Sequence, residues 1–348
     1  MSGEGAARRP AWLWTLLLLL ATAGLAYLAT AAISREGSVA LDLSWPLRLS
    51  GPDDLARNLL VAWRLPRVLA SMIVGAALSV AGLLLQGVTR NPLADPYLLG
   101  ISGGAGLLVV FVRAMVPLPA IDWWLTPACA FVGATLATLV VIALARGGPR
   151  SEGRLTTVGL VLAGVVINAL CAAMMQFILA RLDPFHLRVT TLWLAGGVSY
   201  VAWGQLFVIA VLVAAAWVML RARAHQLNAL ALGGESAASV GVDADRLLRQ
   251  SALLAGLLTA LGVSVAGLLG YVGLIVPHVV RLLAGRDFRR TLPLALVAGA
   301  LLMLSADSVA RLAFAPQELP VGVITALLGC PTLLVLLRRQ LSGRGAPS

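Results

Sequence analysis

Ten long apolar runs, separated by short polar segments, take up most of this 348-residue chain. A helix needs roughly 20 apolar residues to cross the hydrocarbon core of a bilayer. Hydrophobic residues make up 60% of the sequence and charged residues only 12%, whereas an ordinary globular domain has about 25% charged residues. The pattern therefore predicts an all-α membrane protein of about ten transmembrane helices, with one membrane domain covering 1–348.

Two of the predicted spans are unusual. The ten spans cover 12–33, 64–87, 97–115, 124–145, 156–180, 199–220, 247–268, 271–284, 291–313 and 319–338. The eighth span is short and the third is rich in glycine. Because lipid cannot satisfy open backbone groups, these two segments need protein neighbours or a cavity to cover them.

The positions of the basic residues predict the topology. The chain contains no lysine, so all 26 basic residues are arginine. With ten spans and a cytoplasmic N-terminus, 17 of the 26 arginines fall in cytoplasmic segments, as the positive-inside rule requires. We therefore expect a multi-pass protein of the bacterial inner membrane with both termini in the cytoplasm. We read 12–33 as a retained span, because no small-residue cleavage site closes it before Arg35.

The sequence lacks the residues that several classes of protein function require. A P-loop requires a lysine that reaches the terminal phosphates, so this chain has no such ATPase site. The three histidines, His186, His225 and His278, lie in separate segments without a metal-binding motif. We expect no cofactor or metal on the chain. The arginines lie in short clusters between apolar runs, which argues against nucleic-acid binding, and no paired side chains suggest an intramembrane enzyme.

An ion-coupled secondary transporter is the main alternative. Such carriers place ionisable groups within their spans despite the energetic cost. Asp307 and Arg311 are the main candidates here, and their i,i+4 spacing places them on one helix face. We favour a local ion pair near the outer helix end over a proton relay.

The longest predicted cytoplasmic segment, 221–246, has a residue pattern that predicts short helices and a partner. Its small and apolar residues follow a helical spacing, and Gly233, Gly234 and Gly241 interrupt that spacing. The pattern predicts two short helices at the membrane face. The segment is long for a helix connection, which favours docking of a partner protein.

Five blocks of sequence resemble one family. They are RLPRVLASMIVGAALSVAG (64–82), NPLADPYLLGISGGAG (91–106), GYVGLIVPHVVRLL (270–283), LPLALVAGALLMLSADSVARL (292–312) and ELPVGVITALLGCPTLLVLLRR (318–339). Their order and spacing are similar to those of type II ATP-binding-cassette importer permeases, the group that imports vitamin B12, ferric siderophores and haem.

This resemblance implies a complete transport assembly. It implies the vitamin B12 permease fold in a homodimer, with the translocation path along the dimer interface. Two separate ATPase subunits would carry ATP and Mg, and a periplasmic binding protein would deliver the substrate. The substrate would be an iron chelate, such as a ferric siderophore or haem, or a corrinoid such as vitamin B12.

The resemblance also assigns roles to individual residues. It implies that Arg64, Arg67 and Arg311 dock the binding protein. It implies that the cytoplasmic gate consists of Asn91, Leu93, Thr156 and Thr157. It implies that the residues that contact the ATPase are Leu232, Gly233, Glu235, Ala237, Val240 and Gly241. Gly234 stands where the family pattern has an acidic residue, so one polar contact with the ATPase is missing from the pattern.

Overall fold

The computed structural model of the chain describes residues 11–35, 38–41, 60–116, 122–146, 155–198, 200–314 and 317–343. Within these residues the protein is a bundle of thirteen α-helices. Two four-residue strands, β1 (Ala32–Arg35) and β2 (Ser38–Leu41), form one antiparallel pair after the first helix. The all-α prediction is confirmed, with this small hairpin as its exception.

Ten of the helices are apolar and coincide with the ten predicted spans. They are α1 (Ala11–Ala31), α2 (Leu65–Val88), α3 (Ile101–Met115), α4 (Asp122–Leu144), α5 (Thr157–Leu179), α7 (Trp203–Ala222), α10 (Ala244–Ala266), α11 (Val272–Ala284), α12 (Phe288–Leu312) and α13 (Val321–Gly343). Eight are long and apolar enough to cross a membrane, and α3 and α11 are shorter.

Three further helices lie between the spans: α6 (Pro184–Leu194), α8 (Ala224–Leu232) and α9 (Gly234–Ser239). The predicted span boundaries agree with the structure to within a few residues. The predicted first helix was too long, because residues 32 and 33 belong to β1 and pair with β2. Arg8, Arg9, Arg150, Arg154 and Arg344, which contributed to the topology prediction, lie outside the described residues.

Helices α2, α10 and α12 form the centre of the bundle. Helix α2 is buried over most of its length because its small residues allow close approach. Gly75 lies against the backbone of Gly299 in α12, where a Cβ atom on either glycine would clash with the other helix. One turn further along, the hydroxyl of Ser79 donates a hydrogen bond of 2.6 Å to the carbonyl of Ala295. Small residues that bring two backbones together are typical of membrane helix pairs.

The short helix α11 depends on protein contacts, as its sequence predicts. Its 13 residues cover about 20 Å, less than the roughly 30 Å of a hydrocarbon core. The turn before it is tied to the bundle by a 2.6 Å hydrogen bond from the backbone N–H of Leu269 to the hydroxyl of Tyr97. Non-helical backbone is thereby covered by protein rather than lipid.

Candidate functional site

The C-terminal end of α12 carries a cluster of charged side chains around Asp307. This carboxylate is 0% exposed. Its Oδ1 accepts hydrogen bonds from Nε and Nη2 of Arg67, at 3.2 and 3.0 Å. Arg67 also donates a 2.9 Å hydrogen bond to Glu318, whose side chain is 55% exposed. One guanidinium from α2 therefore joins a buried and an exposed carboxylate.

The other two candidate docking arginines border the same cluster. Nε of Arg311 lies 3.4 Å from Oδ2 of Asp307, so the predicted i,i+4 ion pair is present. Arg311 also donates to the carbonyl of Ala29, and Arg64 donates to the carbonyl of Thr30, each at 3.1 Å. The structure thus gathers Arg64 and Arg67 at the start of α2 and Arg311 at the end of α12, next to the last residues of α1. Their role in docking stays a prediction.

Aromatic side chains mark the same level of the bundle. The rings of Trp63 and Tyr200 lie 5.0 Å apart, and Nε1 of Trp203 donates a 3.1 Å hydrogen bond to the carbonyl of Val61. Tryptophan and tyrosine are enriched where a membrane meets water. These aromatic residues lie at the level of the arginine cluster, where we expect the edge of the membrane.

The opposite end of the bundle carries the segment predicted to couple to an ATPase. It folds into the two short helices expected from its glycines, α8 and α9, with Gly233 between them at φ 143° and Gly241 after them at φ 75°. Only glycine adopts such angles without strain. Leu232 is 79% exposed and Val240 is 66% exposed, whereas Ala237 is fully buried. Glu235 lies in the first turn of α9, where the helix dipole favours a negative charge.

Asn228, which is not among the predicted site residues, fixes this segment to the bundle. Asn228 of α8 donates a 2.7 Å hydrogen bond to Asp287 and accepts a 2.9 Å bond from the backbone N–H of Phe288. Asp287 is the N-cap of α12. Partial burial opposes ionisation, but the hydrogen bonds from Asn228 and from the backbone N–H of Arg289 hold the pKa of Asp287 below its usual range.

The candidate gate residues lie in two separate turns. Oδ1 of Asn91 accepts a 3.0 Å hydrogen bond from the backbone N–H of Leu93, which closes a tight turn after α2. The hydroxyl of Thr156 caps α5 by accepting a 3.0 Å bond from the N–H of Gly159, and Thr157 is the first residue of α5. Among the described residues, no hydrogen bond joins the two turns, so their joint action as a gate stays a prediction.

A second residue that is not among the predicted site residues, Asn168, organises the space between α3 and α5. Its Oδ1 accepts hydrogen bonds from the N–H of Gly103 and the hydroxyl of Ser102, and its Nδ2 donates to the carbonyl of Tyr97. The apolar run 156–180 contains two side-chain amides, Asn168 and Gln176. An amide near the middle of a span is the sequence signal that could have revealed Asn168, since polar side chains in spans need partners.

Comparisons with known proteins agree with this architecture. The model of the FecCD transport family matches residues 13–339. The hemin transport system permease protein HmuU of Yersinia pestis is 41% identical over 281 residues, which cover 80% of this chain and 82% of that protein. The vitamin B12 import system permease protein BtuC of Klebsiella pneumoniae is 39% identical over 293 residues, covering 83% and 86%.

A solved structure shows the same fold over nearly the whole chain. It is described as an inward-facing conformation of a candidate metal-chelate type ABC transporter. The two proteins superpose with a TM-score of 0.76 at 26% sequence identity, and the match covers 94% of this chain and 99% of the other.

Proposed function

The chain belongs to the FecCD transport family, and we propose on that basis that it is the permease subunit of a binding-protein-dependent importer in the bacterial inner membrane. Two copies would form the path for a metal chelate of the haem, siderophore or corrinoid kind. A separate ATPase would hydrolyse ATP. Similarity to both a hemin permease and a vitamin B12 permease supports a large metal complex as the substrate class.

One structural observation carries this proposal. A single helix, α12, connects the two surfaces that an importer must coordinate. Its N-cap Asp287 holds α8 through Asn228, and its other end carries Asp307 within the arginine cluster. Its 25 residues extend about 37 Å, enough to cross the bilayer. A displacement of α8 by an ATPase would therefore act directly on the helix that reaches the docking surface.

The ATPase contact is proposed on the exposed part of segment 221–246, which we call the coupling segment. Leu232 and Val240 protrude into solvent while Ala237 anchors α9 in the bundle. Large exposed apolar side chains at a bundle end suit an interface. We expect Leu232→Asp to abolish co-purification of the ATPase. Ser239→Ala, at a neighbouring exposed position, should leave it unchanged. Equal co-purification in both variants would contradict the assignment.

Docking of a binding protein is proposed on the arginine cluster. Arg64 and Arg67 are partly exposed, and guanidinium groups grip carboxylates with paired hydrogen bonds. Arg64→Gln should weaken association with the binding protein and reduce its dependence on salt. Arg188→Gln removes the same charge from the exposed helix α6, outside the cluster, and serves as the control. The assignment is wrong if the two variants bind alike.

The gate is proposed to close where two copies of Leu93 and Thr157 approach each other. A Leu93→Cys variant on a background without the three natural cysteines should form a disulfide between copies in the closed state, and this bond should block uptake. Crosslinking without an effect on uptake would remove Leu93 from the gate.

Two observations disfavour the alternative of an ion-coupled transporter. Within the described residues, Asp307 is the only carboxylate that lies inside an apolar helix beyond its first two turns, and it is neutralised by Arg67 and Arg311. Asp95, in the turn before α3, caps that turn by accepting a hydrogen bond from the backbone N–H of Tyr97. In the same residues, no group of three His, Cys, Asp or Glu side chains is suitably arranged to hold a metal ion. A proton relay would require a carboxylate that can gain and lose its proton within the span.

A further inference from the structure

A cavity of about 480 Å³ opens at the same end of the bundle as α8. It lies between the C-terminal end of α2, the turn after it, α11 and the start of α12, and it is independent of the arginine cluster around Asp307. Its lining includes Gln86, Arg90, Arg281, Leu282 and Arg286. Its volume is in the range of cavities that bind small molecules.

The charge of this cavity is entirely positive. Three of its lining residues are arginines and none is Asp or Glu. Among the described residues, no carboxylate forms an ion pair with Arg90, Arg281 or Arg286. Arg286 is also close enough to Arg281 to repel it electrostatically. Several arginines facing one partly enclosed space are stabilised by an anion.

The guanidinium of Arg281 is held in place by neutral groups. It donates to Oε1 of Gln86 at 2.7 Å and to the carbonyl of Leu83 at 3.3 Å. Gln86 is buried, and its own Nε2 donates to the carbonyl of Gly273, so its orientation is determined. These contacts use two of the five N–H donors of the guanidinium and supply no negative charge.

The backbone at Arg90 gives independent support. Arg90 adopts a left-handed conformation with φ 53°, which is uncommon for a residue other than glycine. It follows α2 at a position where helices commonly end with glycine. This conformation directs the chain toward the cavity at a cost in strain, and strained residues of this kind cluster at ligand sites.

Apolar residues complete the lining. Leu282 is exposed, and Pro92 and the edge of Leu336 also line the cavity next to the arginines. A free phosphate would leave this apolar part of the cavity unfilled. A glycerophospholipid has a phosphate beside acyl chains and matches both parts. Basic pockets between spans at the cytoplasmic face commonly hold anionic headgroups.

From this combination we infer that the cavity binds the headgroup phosphate of an anionic glycerophospholipid from the cytoplasmic leaflet. Arg281 is the fixed anchor, and Arg90 and Arg286 close over the phosphate from the rim. A Cβ atom on Gly233 would lie 3.5 Å from Nη1 of Arg90, so the site adjoins the coupling segment. The bound lipid would then stabilise the arrangement of α8 against α2 and α12.

The test compares lipids on the purified full-length chain in detergent micelles by native mass spectrometry. The probes are phosphatidylglycerol and phosphatidylcholine with identical acyl chains. The proposal predicts tighter binding of phosphatidylglycerol. The double variant Arg90→Gln/Arg286→Gln should weaken that binding roughly 30-fold, since each arginine near anionic lipid adds about a fourfold to sixfold factor. Both residues are exposed, so the variant should fold.

The control is Arg246→Gln, which removes one exposed arginine at the same end of the bundle but outside the cavity. It should keep the preference for phosphatidylglycerol. Equal binding of the two lipids by the wild-type chain, or an unchanged preference in the double variant, would overturn the proposal. Inorganic phosphate that binds the lipid-free chain as tightly as phosphatidylglycerol would assign the cavity to a soluble anion. A double variant that retains its lipid but loses the ATPase would assign it to a protein contact.

Discussion

The substitution Asp307→Asn tests the charge cluster at the end of α12 most sharply. Asparagine keeps the shape of the side chain but removes the charge that two guanidinium groups share. The carboxylate is fully buried, with contacts of 3.0 and 3.2 Å to Arg67 and 3.4 Å to Arg311. Removing one partner of a buried ion pair leaves uncompensated charge and costs about 3–5 kcal/mol. We expect the free energy of unfolding to fall by about that amount.

Glu318→Gln provides the matched control. It also neutralises a carboxylate bound to Arg67, but this side chain is 55% exposed, and an exposed ion pair contributes only about 0–1 kcal/mol. The two variants should therefore differ by at least about 2 kcal/mol. The assay is unfolding of the purified variants in one mixed-micelle system, followed by circular dichroism during titration with dodecyl sulfate.

A double-mutant cycle with Arg67→Gln extends the test. Because Arg67 and Asp307 are in direct contact, the combined loss should differ from the sum of the single losses by about 0.5–3 kcal/mol. A buried ion pair at Asp307 is excluded if the free energy of unfolding of Asp307→Asn lies within about 1 kcal/mol of the wild-type value, or if Glu318→Gln lowers it equally.

Three further predictions concern other parts of the molecule. Glu318→Gln frees Arg67 from a competing carboxylate, so calorimetry should show tighter association with the cognate binding protein; weaker association would contradict this competition. Asn228→Ala removes two hydrogen bonds between α8 and α12, so uptake per ATP hydrolysed should fall while the chain still binds the ATPase; unchanged coupling would exclude this link. Gly75→Val places a side chain against the Gly299 backbone and should lower the Tm strongly, whereas Gly204→Ala, which meets no neighbouring atom, should not.

The helices and the coupling segment were predictable because their signals are local. Apolar runs indicate spans through the energetics of lipid, and Gly233 and Gly241 break the segment 221–246 where the backbone needs φ angles that glycine adopts freely. The Asp307–Arg311 pair was predictable for the same reason, since four residues make one helical turn.

The contacts between residues distant in sequence could not be predicted from local patterns. Arg67 and Asp307 are 240 residues apart, and Asn228 and Asp287 are 59 residues apart. Their pairing depends on how α2, α8 and α12 pack, and no local spacing encodes that arrangement. The strands after α1 were missed because residues 32 and 33 continue the apolar run of the helix, so periodicity alone cannot separate the two structures.

The central claim is that this chain provides a path across the membrane and that a partner subunit supplies the energy. The direct measurement is uptake of hemin, of vitamin B12 and of a panel of ferric siderophores, in parallel, into proteoliposomes that contain the chain, its binding protein and its ATPase. We expect ATP-dependent uptake of one of these chelates with the wild-type ATPase, and none when the P-loop lysine of the ATPase is replaced by alanine. Uptake that persists with the alanine variant, or that follows an ion gradient without ATP, would contradict the account.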